Sequence, residues 1–105
     1  MWLIIDDEKT LGCDVVARTP KAARKELLLA AGKFSCVCFD HDLAAVSPLT
    51  GEEVTGHDIL KWALGLNLLP NSIQLVTNNP VGRAAMGATL KKAGYGSIDG
   101  YNYLK

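Results

Sequence analysis

Two short apolar runs, each followed at once by acidic residues, constrain this chain more than any other feature. Residues 2–5 are Trp-Leu-Ile-Ile and lead directly into Asp6 and Asp7, whereas residues 34–39 lead into Asp40, His41 and Asp42. Continuous apolar runs of this length are typical of strands buried on both faces of a parallel sheet. The repeated pattern therefore predicts buried strands whose carboxyl ends carry negative charge.

Amphipathic segments with helix caps separate the apolar runs. Thr19 and Pro20 begin an apolar stripe that Gly32 ends, and residues 55–58 resemble a capping box at the start of a helix that stops before Pro70. Asn79 caps a third helix, which opens on Pro80 and ends before Gly94. Further strands are predicted at residues 13–17, at 72–76 and, weakly, between 97 and 104.

This alternation predicts a single small α/β domain over residues 1–105, with a doubly wound, mainly parallel sheet of the receiver or flavodoxin-like type. Only residues 7–12 connect the first two strands, which is too short for a full crossover helix, so that helix is expected to be shortened or missing. Residues 43–54 are irregular, follow the second acidic group and are a candidate lid.

Composition excludes several classes of protein. Eleven basic side chains balance eleven acidic ones, so no long nucleic acid is expected as a partner. The three cysteines form no metal-ligand or paired spacing, which predicts reduced, mostly buried thiols. No apolar run approaches the roughly 18 residues of a membrane span and nothing marks the chain for export, so a cytoplasmic protein without a membrane partner is expected. Its oligomeric state is left open.

The acids at the strand ends predict a metal site. Ligands bind beyond the carboxyl ends of parallel strands, where Asp6, Asp7, Asp40 and Asp42 would converge. Carboxylates this close repel one another unless protons or a cation neutralise them, and Mg²⁺, or Mn²⁺ in its place, suits such oxygen ligands. Asp6, Asp7 and Asp40 are the predicted metal ligands.

Residues after the third apolar run are candidate phosphate ligands. Thr77, Asn78 and Asn79 offer a hydroxyl, amides and a helix N-terminus, and Arg83 follows one turn later. Asp40, His41 and Asp42 are the predicted catalytic residues, because a histidine among acids can transfer a proton near neutral pH. His57 is more simply explained as a residue in the first turn of a helix.

The acidic pair at residues 6 and 7, Asp40 and Thr77 resemble the acidic pair, the phosphoacceptor and the hydroxyl residue of response-regulator receiver domains. The chain is still more similar to the cyclic-phosphate processing receiver domain family. That similarity is carried by four motifs in order, Ile5-Asp-Asp-Glu8, Phe39-Asp-His-Asp-Leu43, Thr55-Gly-His-Asp58 with Trp62, and Asn79-Pro-Val-Gly-Arg83 with Met86.

The resemblance implies a metal-dependent phosphoesterase whose substrate is a small cyclic phosphate, such as a nucleotide or the 2′,3′-cyclic end of RNA. Signalling receivers carry a lysine after their last strand, whereas here only the terminal Lys105 follows. That difference argues against ordinary phosphorelay signalling. The alternatives are a non-catalytic receiver-like phosphoacceptor, a module that binds a nucleotide or protein, and an interaction protein that has lost the chemistry.

Overall fold

The computed structural model describes residues 1–105 and contains a six-stranded mixed sheet, a separate two-stranded hairpin and three helices. The elements are β1 Trp2–Ile5, β2 Val15–Ala17, α1 Pro20–Ala30, β3 Cys36–Phe39, β4 Ala45–Val46, β5 Glu53–Val54, α2 Gly56–Gly65, β6 Ser72–Leu75, α3 Pro80–Lys92, β7 Gly96–Ser97 and β8 Asn102–Leu104. The strands of the main sheet lie in the order β2-β1-β3-β6-β8-β7. The first four of these strands are mutually parallel.

The central strands are buried on both faces, as their continuous apolar sequences predict. Leu3 and Ile5 point into the main core, whereas Ile4 points to the opposite face and contacts Cys36 and Cys38 in a small second cluster. All five of these side chains are at most 2% exposed. The cysteines are free thiols, in agreement with the prediction that they pack and do not form disulfides.

The three helices bury their apolar residues in the main core, on the face of the sheet that carries Leu3 and Ile5. The second cluster, around Ile4, contains no helical residue. The mainly parallel, receiver-like sheet is confirmed, but the helical layer that a doubly wound sheet carries on its other face is absent. The connection from β1 to β2 contains no crossover helix, so it cannot supply that layer.

A loop replaces the first crossover helix, as the short connection predicts. Residues 6–14 join β1 to the parallel strand β2 without a helix. Arg18 holds this loop by donating hydrogen bonds to the carbonyl of Lys9 (2.6 Å) and the hydroxyl of Thr10 (3.0 Å). The carboxylate of Asp14 accepts a bond from the amide of Trp2 at 2.8 Å. Arg18 therefore fixes the first part of the loop at the end of the sheet where the acids lie, and Asp14 fixes its last part at the opposite end.

The helix caps follow the sequence, and two other segments differ from expectation. Thr19, Thr55 and Asn79 are the N-caps of α1, α2 and α3, with a complete capping box at Thr55. Residues 43–54, expected to be irregular, contain the antiparallel pair β4 and β5. The weak final strand is a hairpin, β7 and β8, whose second strand runs antiparallel to β6. None of the helices is both long and apolar enough to cross a bilayer.

Candidate functional site

A polar cleft of about 410 Å³ lies at the carboxyl ends of the parallel strands. Ile5 at the end of β1 pairs with Phe39 at the end of β3, which in turn pairs with Leu75 at the end of β6. The residues that follow these strand ends consequently meet at one edge of the sheet. The cleft is lined by Asp6, Asp7, Glu8, Lys9, Asp40, Asp42, Thr77, Asn78 and Asn79.

Asp6 is the most deeply buried acid of the cleft, with 1% of its surface exposed. Its Oδ1 atom accepts hydrogen bonds from the backbone amides of Glu8 (2.8 Å) and Lys9 (3.0 Å), which fix the orientation of the carboxylate. Its Oδ2 atom is buried and has no hydrogen-bond partner. A buried carboxylate oxygen without a partner is costly, so this atom calls for a cation or a proton.

Asp6, Asp7 and Asp40 are brought together as the sequence predicts. Each offers a carboxylate oxygen, and the three oxygens lie within 4.8 Å of one another. Burial raises the pKa of the Asp40 carboxyl above its ordinary value, and the negative charge of Asp6 raises it further. Part of this rise in pKa is offset by hydrogen bonds from the His41 amide and the Thr77 hydroxyl and by the positive charge of Lys9. These residues fit a hard divalent cation, which would remove the repulsion and pair the free Asp6 oxygen.

Thr77, Asn78 and Asn79 form the wall of the cleft that follows β6. Thr77 is 3% exposed, and its hydroxyl accepts a bond from the Asn79 amide at 3.1 Å. The Oδ1 atom of Asn79 accepts a bond from the Gly82 amide at 3.0 Å and so caps α3. The side-chain amide of Asn79 points toward Asp42, with its Nδ2 atom 3.5 Å from Asp42 Oδ2. This wall is therefore fixed by the start of α3.

His41 lies behind the cleft and does not line it. Its Nδ1 atom is 2.9 Å from Asp42 Oδ1, and its ring packs on Gly82, where an added Cβ would lie 2.5 Å from the ring Cγ. The side chain of His41 is 19% exposed, compared with 58% for Asp42. Asp42 is thus the residue of the pair that faces solvent and cleft, and His41 supports it from the protein side.

The packing of α2 explains why the capping box after the acids contains a glycine, Gly56. A Cβ at this position would lie 1.6 Å from the carbonyl oxygen of Asp40, and the Gly56 amide donates a 2.7 Å bond to the carbonyl of His41. The first turn of α2 therefore lies directly against the backbone that carries the acids. Sequence reasoning did not identify this contact, because it depends on how α2 packs.

Arg83 does not line the acidic cleft. Its guanidinium stacks on the ring of Tyr101, 4.5 Å from the centroid, beside a groove that also contains Lys91. The predicted position one turn into α3 is correct, but the side chain extends toward the C-terminal hairpin. The antiparallel strand β8 places Tyr101 there, and the sequence reading did not anticipate that strand direction.

His57 has a structural partner. Its Nε2 atom lies 2.6 Å from the hydroxyl of Thr89, and that hydroxyl also donates to the carbonyl of Ala85 within α3. The histidine thus joins α2 to α3. Burial lowers the pKa of His57 below its ordinary value, and the nearby charges of Lys61 and His41 lower it further.

Lys9 is a residue of the cleft that sequence reasoning missed. Its ammonium group donates a 3.0 Å bond to the carbonyl of Val76, at the end of β6. The only sequence signal was a lysine placed directly after three acids, which by itself suggests a solvated charge. The reach of its side chain across the end of the sheet depends on the conformation of the β1–β2 loop.

Comparison with known proteins adds one match. The family described as the cyclic-phosphate processing receiver domain matches residues 1–92 of the chain, which include every residue that lines the acidic cleft. No curated protein and no solved structure matches the chain.

Proposed function

The chain belongs to the cyclic-phosphate processing receiver domain family, and from this premise we propose that it is a metal-dependent phosphoesterase that opens cyclic phosphates. The proposed substrates are nucleoside cyclic phosphates and the 2′,3′-cyclic ends of RNA. One observation carries the proposal: the buried, unpartnered Oδ2 atom of Asp6 lies in a cluster of three carboxylates at the floor of an open cleft.

Asp6, Asp7 and Asp40 are the residues that would hold the metal. Their oxygens are the hard ligands that Mg²⁺ or Mn²⁺ prefers, and the cleft leaves room for the waters that Mg²⁺ retains. When bound, the ion would supply polarisation of a phosphoryl oxygen and neutralisation of the charge that develops during attack on phosphorus. The backbone bonds to Asp6 Oδ1 keep that carboxylate oriented before the ion arrives.

The opposite wall of the cleft suits the phosphate group. Thr77 and Asn78 line it directly, and Asn79 begins α3, whose N-terminal end favours negative charge. Arg83, predicted as a phosphate ligand, would have to leave the ring of Tyr101 to take part. The phosphate contacts are therefore assigned to the turn at residues 77–79.

We assign to Asp42 the acceptance of the proton from the attacking water. In the proposed step the water oxygen forms a bond to phosphorus, its proton passes to Asp42, and one ring P–O bond breaks. The released ring oxygen takes a proton from solvent, so that a phosphate monoester results. The contact at His41 Nδ1 holds the Asp42 carboxylate in place, which makes His41 a positioning residue in this scheme.

The test is hydrolysis by the purified protein. The protein is incubated with Mg²⁺ or Mn²⁺ and a panel containing 2′,3′-cyclic mononucleotides, 3′,5′-cyclic mononucleotides and an oligoribonucleotide with a 2′,3′-cyclic end. Monoester product is expected for at least one member, and it should disappear with EDTA and in Asp40→Asn. Glu26→Gln is the matched control, since Glu26 lies on α1 beside Met1 and Phe34, in a different pocket. Absence of turnover on every member contradicts the proposal.

A second candidate rests on the position of Asp40 between Asp6 and the hydroxyl of Thr77. In this alternative Asp40 accepts a phosphoryl group from a small donor, and the domain works as a binding or signalling module. Incubation with acetyl phosphate and Mg²⁺ followed by intact-protein mass spectrometry distinguishes the two. A phosphorylated species that is lost in Asp40→Asn, with no cyclic-phosphate turnover, favours this candidate.

A further inference from the structure

The cleft contains one positively charged side chain among its nine lining residues. Lys9 is that residue, and Asp6, Asp7, Glu8, Asp40 and Asp42 are the acids around it. No salt bridge joins Lys9 to any of these carboxylates. Its ammonium group instead bonds to a neutral acceptor, the carbonyl of Val76. The charge of Lys9 is therefore inside the cleft without being neutralised by direct pairing.

The chain holds Lys9 by three separate hydrogen bonds. Its backbone amide donates to Asp6 Oδ1, its carbonyl accepts from Arg18, and its ammonium reaches the last residue before Thr77. A lysine that merely covers the surface would leave its long side chain free. Here the side chain spans from the end of β1 to the end of β6, past the position of Asp40.

The bond to Val76 leaves donors for a ligand. An ammonium group carries three N–H donors and has no acceptor, and the carbonyl of Val76 takes one of them. The remaining donors belong to a group fixed beside Thr77 and the acids. An oxygen that bears negative charge is the partner that satisfies them best.

We propose that Lys9 binds a non-bridging oxygen of the substrate phosphate and is the principal anion-binding residue of the cleft. This inference rests on the proposed function and adds to it a phosphate contact supplied by the β1–β2 loop. Arg83 is engaged with Tyr101 outside the cleft, so the other basic candidate does not compete for this role. The phosphate then lies between Lys9, the metal ligands and Thr77.

A purely structural role for Lys9 makes a different prediction. If the residue only ties the loop to β6, its loss should weaken the loop and therefore weaken both cation and anion binding, or leave both unchanged. If it binds the phosphate, its loss should have opposite effects on the two ligands. Removing a positive charge beside three carboxylates favours Mg²⁺, whereas removing the anion contact disfavours phosphate.

Isothermal titration calorimetry on the full chain tests the inference with Mg²⁺ alone and then with inorganic phosphate added to the Mg²⁺-saturated protein. The variants are Lys9→Gln, Lys9→Arg and the control Lys25→Gln, an exposed lysine on α1. In Lys9→Gln we expect phosphate affinity to fall about 10-fold or more, with unchanged or tighter Mg²⁺ binding. Lys9→Arg should restore part of the phosphate affinity, and Lys25→Gln should match the parent chain.

The outcomes separate this inference from the proposed function. A parent chain that does not bind Mg²⁺ contradicts the metal site and, with it, the proposed function. A parent chain that binds Mg²⁺ but no phosphate overturns the inference, and hydrolysis of the cyclic-phosphate panel still tests the function. Equal phosphate affinity in Lys9→Gln and the parent chain, or parallel loss of both ligands, overturns the role of Lys9 alone.

Discussion

Replacing Asp40 with asparagine should stabilise the metal-free protein. The substitution removes one of three negative charges whose carboxylate oxygens lie within 4.8 Å, while its side-chain oxygen can still accept the bond from the His41 amide. At 4.8 Å, two unit charges repel by about 0.9 kcal/mol in bulk water and by about 3.5 kcal/mol at an effective dielectric constant of 20. Lys9 offsets part of this repulsion, so the expected gain is about 1 to 2 kcal/mol.

The assay is thermal unfolding with EDTA and then with increasing Mg²⁺. For a domain of this size, a gain of 1 to 2 kcal/mol corresponds to a rise in Tm of roughly 4 to 10 °C. The parent chain should gain stability with Mg²⁺, by about 2.7 kcal/mol at 100 times Kd. Asp40→Asn should lose most of that response, because it lacks one of the proposed metal ligands.

Two results would refute this reasoning. One is a lower Tm for Asp40→Asn than for the parent chain in EDTA, which would mean that the three carboxylates do not repel one another in the fold. The other is an equal Mg²⁺-dependent shift in both proteins, which would place the metal elsewhere. Glu26→Gln is the control for loss of a carboxylate, and its Tm should respond to Mg²⁺ as the parent chain does.

Three further predictions concern the residues that support the cleft. Gly56→Ala should destabilise the fold by about 3 kcal/mol or more in urea unfolding, because the new Cβ would overlap the Asp40 carbonyl; an unchanged unfolding midpoint would contradict the packing of α2. Gly82→Ala should displace the ring of His41 and lower kcat for a cyclic phosphate by about 10- to 100-fold, with a much smaller effect in Mg²⁺ calorimetry; full activity would exclude His41 as a positioning residue. The fold lowers the pKa of His57 below its ordinary value of about 6.5. As the pH falls through that value, the unfolded chain takes up a proton before the folded chain does, so the free energy of unfolding decreases. Urea unfolding between about pH 7.5 and pH 5.5 should show this loss in the parent chain and less of it in His57→Gln.

Much of the site was predictable from the sequence, because strand ends are visible in it. The apolar runs that end at Ile5 and Phe39 are strands, and the acids that follow them meet as predicted. The helix N-caps at Thr19, Thr55 and Asn79 were also predictable, since a cap depends on residues within one turn. Local chemistry determines these features, so the printed sequence is enough to find them.

Side-chain direction was less predictable. Arg83 lies where the helix pattern places it, but it turns toward Tyr101 because β8 runs antiparallel to β6. His41 follows Asp40 in the sequence, yet it packs behind the cleft because Gly82 leaves space for its ring. Each of these positions depends on a partner more than 15 residues away in the chain, and no local pattern encodes it.

The sequence by itself determined that this protein has a parallel sheet with acids at the carboxyl ends of its strands. The physical reason is that each apolar run and the acids that follow it are neighbours in the chain. Only the tertiary structure decided which other groups share the cleft with these acids. It places Lys9 among the acids, leaves Asp6 Oδ2 without a partner and keeps Arg83 outside. The physical reason is that charges interact through space, so the balance of charge in a site depends on which loops the fold brings together.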